Sequence, residues 1–275
     1  MGADEPALRY YAADGSDPLA VVLDALREAG RDTERIDLDD LAGIDEFHAL
    51  GRPATMALAE LAGVTAGTEV VDVGAGLGGP ARFLAARRGA RVVAVEPVER
   101  FRHACAELNR RTGCDAAIRC VDGQATALPV PDASADVVWI QAVAISVADK
   151  AKMAHEARRV LRPGGRLAFF DAVARDGGDL HFPLPWADTP QESFVAPAGA
   201  LRAAFAAAGL QEIVWNEQEP ALAQIAAQAF APPVDPAVVG LARLMPDYEQ
   251  RMGNVGRNIA EGRLGLLIAV LTVPG

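Results

Sequence analysis

The sequence has 275 residues, of which 51% are hydrophobic, and its mean hydropathy is +0.13. Such a chain can bury a large core, which excludes wholesale disorder and suits one α/β domain or one domain with an elaborated cap. The net charge of −11 arises from 26 Lys and Arg against 37 Asp and Glu, and this sign argues against nucleic acid or an anionic membrane as a partner.

The first 65 residues carry helical patterns. Four apolar residues share one face of the first predicted helix: Leu19, Val22, Leu23 and Leu26. This helix is predicted to end at Gly30, and a second one has Pro53 in its first turn and ends at Gly63. The segment 45–51 between them shows no periodicity. We expect residues 1–65 to form a helical lid.

From residue 69 onwards, short apolar segments alternate with helical patterns. The segments predicted as strands are 69–74, 91–96, 116–121, 135–141, 165–173, 211–217 and 264–273. The helical patterns between them fall within 80–89, 101–113, 153–161 and 197–209. Strands and helices that alternate at this spacing predict a parallel, doubly wound sheet.

Two further segments are predicted to cover the mouth of the sheet, where α/β folds bind their ligands. The first lies at about 175–197, and the second at 218–262, where two helices are expected with an interruption at 231–236. Residues 66–275 are therefore expected to form one sheet domain with these two cap elements.

The cysteines and histidines show no disulfide or metal-binding pattern. The three cysteines form no closely spaced pair and the four histidines are dispersed, so we predict neither a disulfide framework nor a metal site. No run of about 18 apolar residues is present, and the first residues lack the pattern of a signal peptide. We expect a cytoplasmic protein, and a homo-oligomer is compatible with the sequence.

The strongest motif is VVDVGAGLGGPARFL at 70–84, in which a strand enters a glycine-rich turn that opens a helix. Gly74 and Gly76 allow a tight turn and a close approach of the backbone to a ligand. Nicotinamide and flavin enzymes use the same pattern, so it is weak by itself. Two acids favour another nucleoside ligand: Asp72 precedes the glycines, and Glu96 ends the second predicted strand, where it can accept both ribose hydroxyls.

The ordered motifs of the chain resemble those of class I S-adenosylmethionine-dependent methyltransferases. The segments that carry the resemblance are DVGAGLGGPARFLA at 72–85, VVAVEP at 92–97, 122–139 and 158–171. The chain also resembles one branch of this family at 45–63 and 180–187. That branch contains the ubiquinone/menaquinone-biosynthesis and glycine/sarcosine methyltransferases. The resemblance implies a Rossmann-like sheet of seven strands, mostly parallel with an antiparallel last strand, together with N-terminal helices and a helical cap.

The resemblance also implies where S-adenosylmethionine binds. The resemblance implies nine cofactor-binding residues, which run from the amino-acid end of the cofactor to its adenine and then to the methyl-transfer pocket. They are Asp72, Gly74, Ala75, Gly76, Glu96, Pro97, Gln124, Ala125 and Gln141. Backbone carbonyls or Asp72 would meet the ammonium group of the cofactor, and Glu96 would hold its ribose hydroxyls. Relatives often have Asp in place of Gln124, but an amide can still accept a hydrogen bond from the adenine amino group.

Relatives often carry a histidine and an asparagine where this chain has Ala142 and Ser146. Either the reaction needs no base there, or another residue supplies it. We take His48 and His181 as the candidate catalytic residues. The candidate substrate-binding residues are Tyr11, Phe47, Ala142, Ser146 and Trp186. The alternatives are that His48 caps a turn and that His181 and Trp186 pack a proline-rich connection.

The resemblance implies transfer of a methyl group from S-adenosylmethionine, leaving S-adenosylhomocysteine, to an oxygen, nitrogen or carbon of a small molecule, in secondary metabolism. Because Ala142 replaces a histidine, a second hypothesis is an enzyme that keeps the cofactor intact and catalyses a cyclisation, isomerisation or elimination. A cofactor sensor without turnover and a nicotinamide oxidoreductase are the remaining alternatives.

Overall fold

A seven-stranded sheet forms the centre of the structure, a computed structural model that describes residues 15–217, 235 and 238–275. The strands are β1 Glu69–Val73, β2 Arg91–Val95, β3 Ile118–Val121, β4 Ala135–Gln141, β5 Leu161–Ala174, β6 Gln211–Asn216 and β7 Leu264–Thr272. Their order is β3-β2-β1-β4-β5-β7-β6. The pairs from β3 to β5 are parallel, and β7 is antiparallel to both β5 and β6. The predicted fold class is confirmed.

Helices cover both faces of the sheet. They are α1 Pro18–Glu28, α2 Gly51–Ala62, α3 Gly79–Arg88, α4 Glu99–Arg111, α5 Lys150–Val160, α6 Ala198–Ala207 and α7 Tyr248–Ala260. The side chain of Asp17 caps α1 by accepting a hydrogen bond from the amide of Leu19. The residues that end α2 and α3 are Gly63 and Gly89, both in the left-handed conformation that glycine adopts readily.

The core is divided by the sheet into two layers. Val71 and Val138 face the layer that contains α5 and α6, whereas Val70 and Trp139 face the layer that contains α2 and α3. Because side chains alternate along a strand, Asp72 lies on the same face as Val70. Its carboxyl group is therefore directed towards the layer that holds α3.

The N-terminal region packs beside the carboxyl ends of the strands. Val22 and Leu26 of α1 share a buried cluster with Leu108 of α4 and with Leu77 of the glycine turn. This packing fixes the segment 45–48, which follows α1, next to the first turn of α3.

The structure differs from the predicted elements in one strand. β5 begins at Leu161, which pairs with Ala135 ahead of the turn that contains Gly164. The register with β4 then shifts between Ala135 and Val137, because Gly164 takes a positive φ of 76° inside the strand. Tyr11 and the first helix expected within 218–262 lie outside the described residues. No helix in the described part of the chain has the length and apolar character that a bilayer crossing requires.

Candidate active site

A cleft opens at the carboxyl ends of β1, β2 and β4, where open α/β sheets bind ligands. The predicted site residues that line it are Phe47, His48, Gly74, Ala75, Gly76, Glu96, Pro97, Gln124, Ala125, Gln141, Ala142 and Ser146. The N-terminal segment, the glycine turn and the loops after β2, β3 and β4 thus form one site.

The glycine turn has the backbone that its sequence predicts. Gly74, Gly76 and Gly78 have φ values of 67°, 55° and 84°, in the left-handed region that favours glycine. At Gly79, the first residue of α3, a Cβ atom would lie 2.9 Å from Cγ of Asp45. The turn therefore depends on glycine both for its conformation and for the close approach of Asp45.

Glu96 closes the turn from the end of β2. Its Oε2 accepts a hydrogen bond from the amide of Gly76, and its Oε1 accepts one from the amide of Val98, both at 2.9 Å. Burial raises the pKa of Glu96 to about 7, although both hydrogen bonds favour the ionised form. The carboxylate is thus fixed at the cleft wall, with lone pairs left for the hydroxyls of a ribose.

Asp72 takes a different position from the one that the resemblance implies. It is buried, it does not line the cleft, and its Oδ2 has no hydrogen-bond partner. Burial and the negative charges of Glu96 and Glu46 raise the pKa of Asp72 well above its usual range. The structure therefore brings the other implied cofactor residues to the cleft but leaves Asp72 beneath it.

Asp45 lines the cleft instead, and sequence reasoning missed it. Its Oδ2 accepts a hydrogen bond of 2.9 Å from Nη2 of Arg82, a fully buried residue of α3. Burial raises the pKa of Asp45 against the opposing effect of Arg82 and Arg52. The only sequence signal was that two acids precede Phe47 in the segment 45–51, where no periodicity shows which side chains are buried.

Glu46 forms a buried pair with His48. Nε2 of His48 lies 2.8 Å from Oε2 of Glu46, and the hydroxyl of Thr55 donates to the same oxygen at 2.7 Å. Nε of Arg52 donates to the other carboxylate oxygen. Burial alone would raise the pKa of Glu46, but His48 and Arg52 outweigh it and lower this pKa to about 2. Because Glu46 is ionised, it holds a proton on Nε2 of His48.

Gln141 joins this pair to β4. Its Oε1 accepts a hydrogen bond of 2.9 Å from the indole of the fully buried Trp139, which directs its Nε2 towards His48. The distance from Nε2 of Gln141 to Nδ1 of His48 is 3.3 Å, and the carbonyl of Ala49 lies 3.1 Å from the same nitrogen. Nδ1 therefore faces one weak donor and one acceptor.

The loop after β4 is held from below by Asp171. Oδ2 of Asp171 accepts a hydrogen bond of 2.7 Å from the amide of Ala144, and Oδ1 accepts one of 2.8 Å from the amide of Ala172. Ala142 has a φ of 55°, which a residue other than glycine rarely adopts. The loop presents Ala142 and Ser146 to the cleft, in the positions where relatives often carry a histidine and an asparagine.

His181 and Trp186 do not line the cleft. Nε2 of His181 lies 2.8 Å from Oε2 of Glu261, just after the end of α7. Trp186 is buried beside Ile145, and its indole donates to the hydroxyl of Ser193 at 3.0 Å. The structure brings His48, but not His181, to the candidate site. Trp186 packs against the loop after β4 without lining the cleft.

A doubly wound sheet with a glycine turn after its first strand and an acid at the end of its second defines an enzyme that binds a nucleoside cofactor. A family model described as "Methyltransferase domain" matches residues 71–169. A dimethylglycine N-methyltransferase from Parasynechococcus marenigrum is 34% identical over 220 residues, which cover 78% of this chain and 75% of the relative.

Two other similarities extend this result. A 27-O-demethylrifamycin SV methyltransferase from Amycolatopsis mediterranei is 33% identical over 130 residues, which cover 46% of this chain and 48% of that one. The crystal structure of the [4+2]-cyclase SpnF superposes with a TM-score of 0.63 at 22% identity, covering 94% of this chain and 93% of the other.

The chain belongs to the class I S-adenosylmethionine-dependent small-molecule methyltransferases. Its cofactor is S-adenosylmethionine, and the described residues fit that group. Of the residues that the resemblance assigns to this cofactor, Glu96, the glycine turn, Gln124 and Ala125 all line the cleft.

Proposed function

We propose that this enzyme methylates a hydroxyl oxygen of an uncharged, largely apolar small molecule, and that His48 accepts the hydroxyl proton. The observation that carries the proposal is the buried Glu46–His48 pair in the wall of the cleft. Bound S-adenosylmethionine supplies an already activated methyl group, so the chain has to position the acceptor, exclude water and remove one proton.

The hydrogen bonds of His48 suit it to take up that proton. Glu46 keeps the proton of the neutral ring on Nε2, which leaves the lone pair of Nδ1 to accept another. Once Nδ1 is protonated, it can donate to the carbonyl of Ala49 at 3.1 Å, while the charge of Glu46 stabilises the imidazolium ion. The base that relatives often carry at position 142 is thus supplied from the N-terminal segment.

Gln141 leaves room for the acceptor at this nitrogen. Its contact of 3.3 Å with Nδ1 of His48 is longer than a strong hydrogen bond, so an acceptor hydroxyl can replace the amide. Because Trp139 holds the other end of the amide, Gln141 remains at the edge of the pocket.

The polarity of the cleft favours an uncharged acceptor. Apolar side chains such as Phe47, Phe101 and Leu77 form much of its wall. Among the described residues, no lysine or arginine lines the cleft, and its ionisable groups are Asp45, Glu96 and His48. The Parasynechococcus relative is named for dimethylglycine, which carries a carboxylate. This lining offers no cation that could bind such a carboxylate.

The proposal also covers the setting of the reaction. We infer that residues 1–65 act as a lid, because the segment 45–48 already forms part of the cleft wall. The Amycolatopsis relative is named a 27-O-demethylrifamycin SV methyltransferase, which supports a role in natural-product biosynthesis. The absence of disulfides among the three free cysteines supports a cytoplasmic location.

The test compares two histidine variants on the best acceptor from a panel of matched alcohols, amines and carboxylates. We expect His48→Gln to lower kcat/KM on the alcohol by about 100-fold or more, the range of general-base catalysis, without weakening cofactor binding. His181→Gln is the matched control and should retain activity, because its ring pairs with Glu261 away from the cleft. Equal losses in both variants, or a preference for carboxylates, would overturn the proposal.

A further inference from the structure

We propose that Asp45 binds the α-ammonium group of S-adenosylmethionine, the contact that the motif pattern assigns to backbone carbonyls or Asp72. The inference concerns the cofactor and is independent of the acceptor and of the base. Three features of Asp45 support this role: an oxygen without a hydrogen-bond partner, a place beside the N-terminus of α3, and a rigid support.

The first feature is an unsatisfied carboxylate oxygen at the cleft. Asp45 is one of the residues that line the cleft, and its side chain is fully buried from solvent. Its Oδ1 has no hydrogen-bond partner; it forms an ion pair with Nη2 of Arg52 at 3.6 Å, beyond hydrogen-bond length. Buried polar atoms nearly always have partners, so an oxygen left without one at a cleft wall indicates a donor on the ligand.

The second feature is position. A Cβ atom on Gly79 would lie 2.9 Å from Cγ of Asp45, so the carboxyl group packs against the first residue of α3. The N-terminus of α3 is where the cofactor carboxylate finds free amide groups. In an α-amino acid the ammonium and the carboxylate share one carbon. An acid beside this helix terminus is therefore in reach of the ammonium when the carboxylate is bound.

The third feature is rigidity. Arg82 is fully buried and connects Asp45 to Asn109 of α4, with Nη2 donating to Asp45 and Nη1 donating to Oδ1 of Asn109, both at 2.9 Å. One carboxylate oxygen is thereby fixed by the core and the other is left for a ligand. Asp72 also has an unpartnered oxygen, but it lies on the Val70 face of β1 and does not line the cleft.

The test measures binding of two ligands by calorimetry: S-adenosylmethionine and its 2-oxo analogue, in which a keto group replaces the amine and the carboxylate, sulfonium and nucleoside are kept. The wild-type protein should prefer S-adenosylmethionine. Asp45→Asn should weaken binding of S-adenosylmethionine by about 10- to 100-fold, the effect of losing a charged hydrogen bond, and should leave affinity for the analogue nearly unchanged.

Asp72→Asn is the matched control and should keep the wild-type preference between the two ligands. If Asp45→Asn does not fold, as judged by circular dichroism, Asp45→Glu takes its place and should also reduce the preference, because the carboxylate is displaced by one methylene. The proposal is overturned if the wild-type protein binds both ligands equally, if the Asp45 variant keeps the preference, or if the Asp72 variant loses it.

Discussion

Replacement of Glu46 by glutamine removes a buried negative charge and keeps the shape of the side chain. Glu46 is 2% exposed and lies 2.8 Å from Nε2 of His48, so no solvent screens the pair. A hydrogen bond to a charged partner contributes about 1.5–3 kcal/mol, and we expect the imidazolium ion formed during proton transfer to lose this amount. The predicted fall in kcat/KM is therefore about 10- to 100-fold.

The same substitution changes the free energy of unfolding, and the pKa of Glu46 determines the direction of that change. The folded-state pKa is lowered from 4.5 to about 2, so the ionised carboxylate stabilises the fold above pH 4.5, and this contribution is lost as the pH falls through about 2. Glu46→Gln should accordingly unfold at lower urea concentration at neutral pH, and activity must be measured where the variant is folded.

The assay is the pH dependence of kcat/KM for wild type and Glu46→Gln. Loss of the neighbouring charge removes the partner of the imidazolium ion that forms during proton transfer, so the plateau of the profile should fall. Glu261→Gln is the matched control, because Glu261 pairs with His181 at the same 2.8 Å but outside the cleft. An unchanged plateau in Glu46→Gln, or an equal fall in both variants, would show that Glu46 does not stabilise the imidazolium ion.

Two further predictions concern the cofactor site. Because the pKa of Glu96 is raised to about 7, cofactor affinity should fall as the pH drops below 7 and the carboxyl group is protonated. The variant Glu96→Gln should bind the cofactor weakly and with little pH dependence. A wild-type affinity that is constant from pH 6 to 8 would contradict this prediction. Gly79→Ala should lower the melting temperature and weaken cofactor binding, because its Cβ meets Asp45, at a cost of about 1–3 kcal/mol. The control Gly199→Ala, which meets nothing within 4 Å, should be neutral or slightly stabilising by thermal unfolding.

The sheet could be predicted from the sequence because its signals are local. Apolar runs such as 69–74 and 135–141 are separated by helices with clear stops, and β1 and β4 were found there. The start of β5 is harder to predict, because Leu161 joins the sheet through its pairing with Ala135. No property of the residues 161–164 indicates that pairing.

The candidate site could be predicted where function depends on backbone shape. The glycine pattern predicts the turn, and the position of Glu96 at the end of the second predicted strand places it beside that turn. Both line the cleft. Asp45 and Asp72 differ because their roles depend on which side chain reaches the cleft. Asp72 was expected there from its place before the glycines, but strand alternation turns it to the α3 layer, and Asp45 arrives from a segment without periodicity.

The most direct test of the account follows a deuterated methyl group from S-adenosylmethionine into the product. We predict that a hydroxylated, uncharged acceptor gains one labelled methyl ether for each S-adenosylhomocysteine formed, and that the matched deoxy compound gains none. A product of unchanged mass formed while S-adenosylmethionine persists would contradict it and identify a cyclase or isomerase. A labelled methyl group found on nitrogen or carbon would contradict the proposed role of His48 as the base for a hydroxyl.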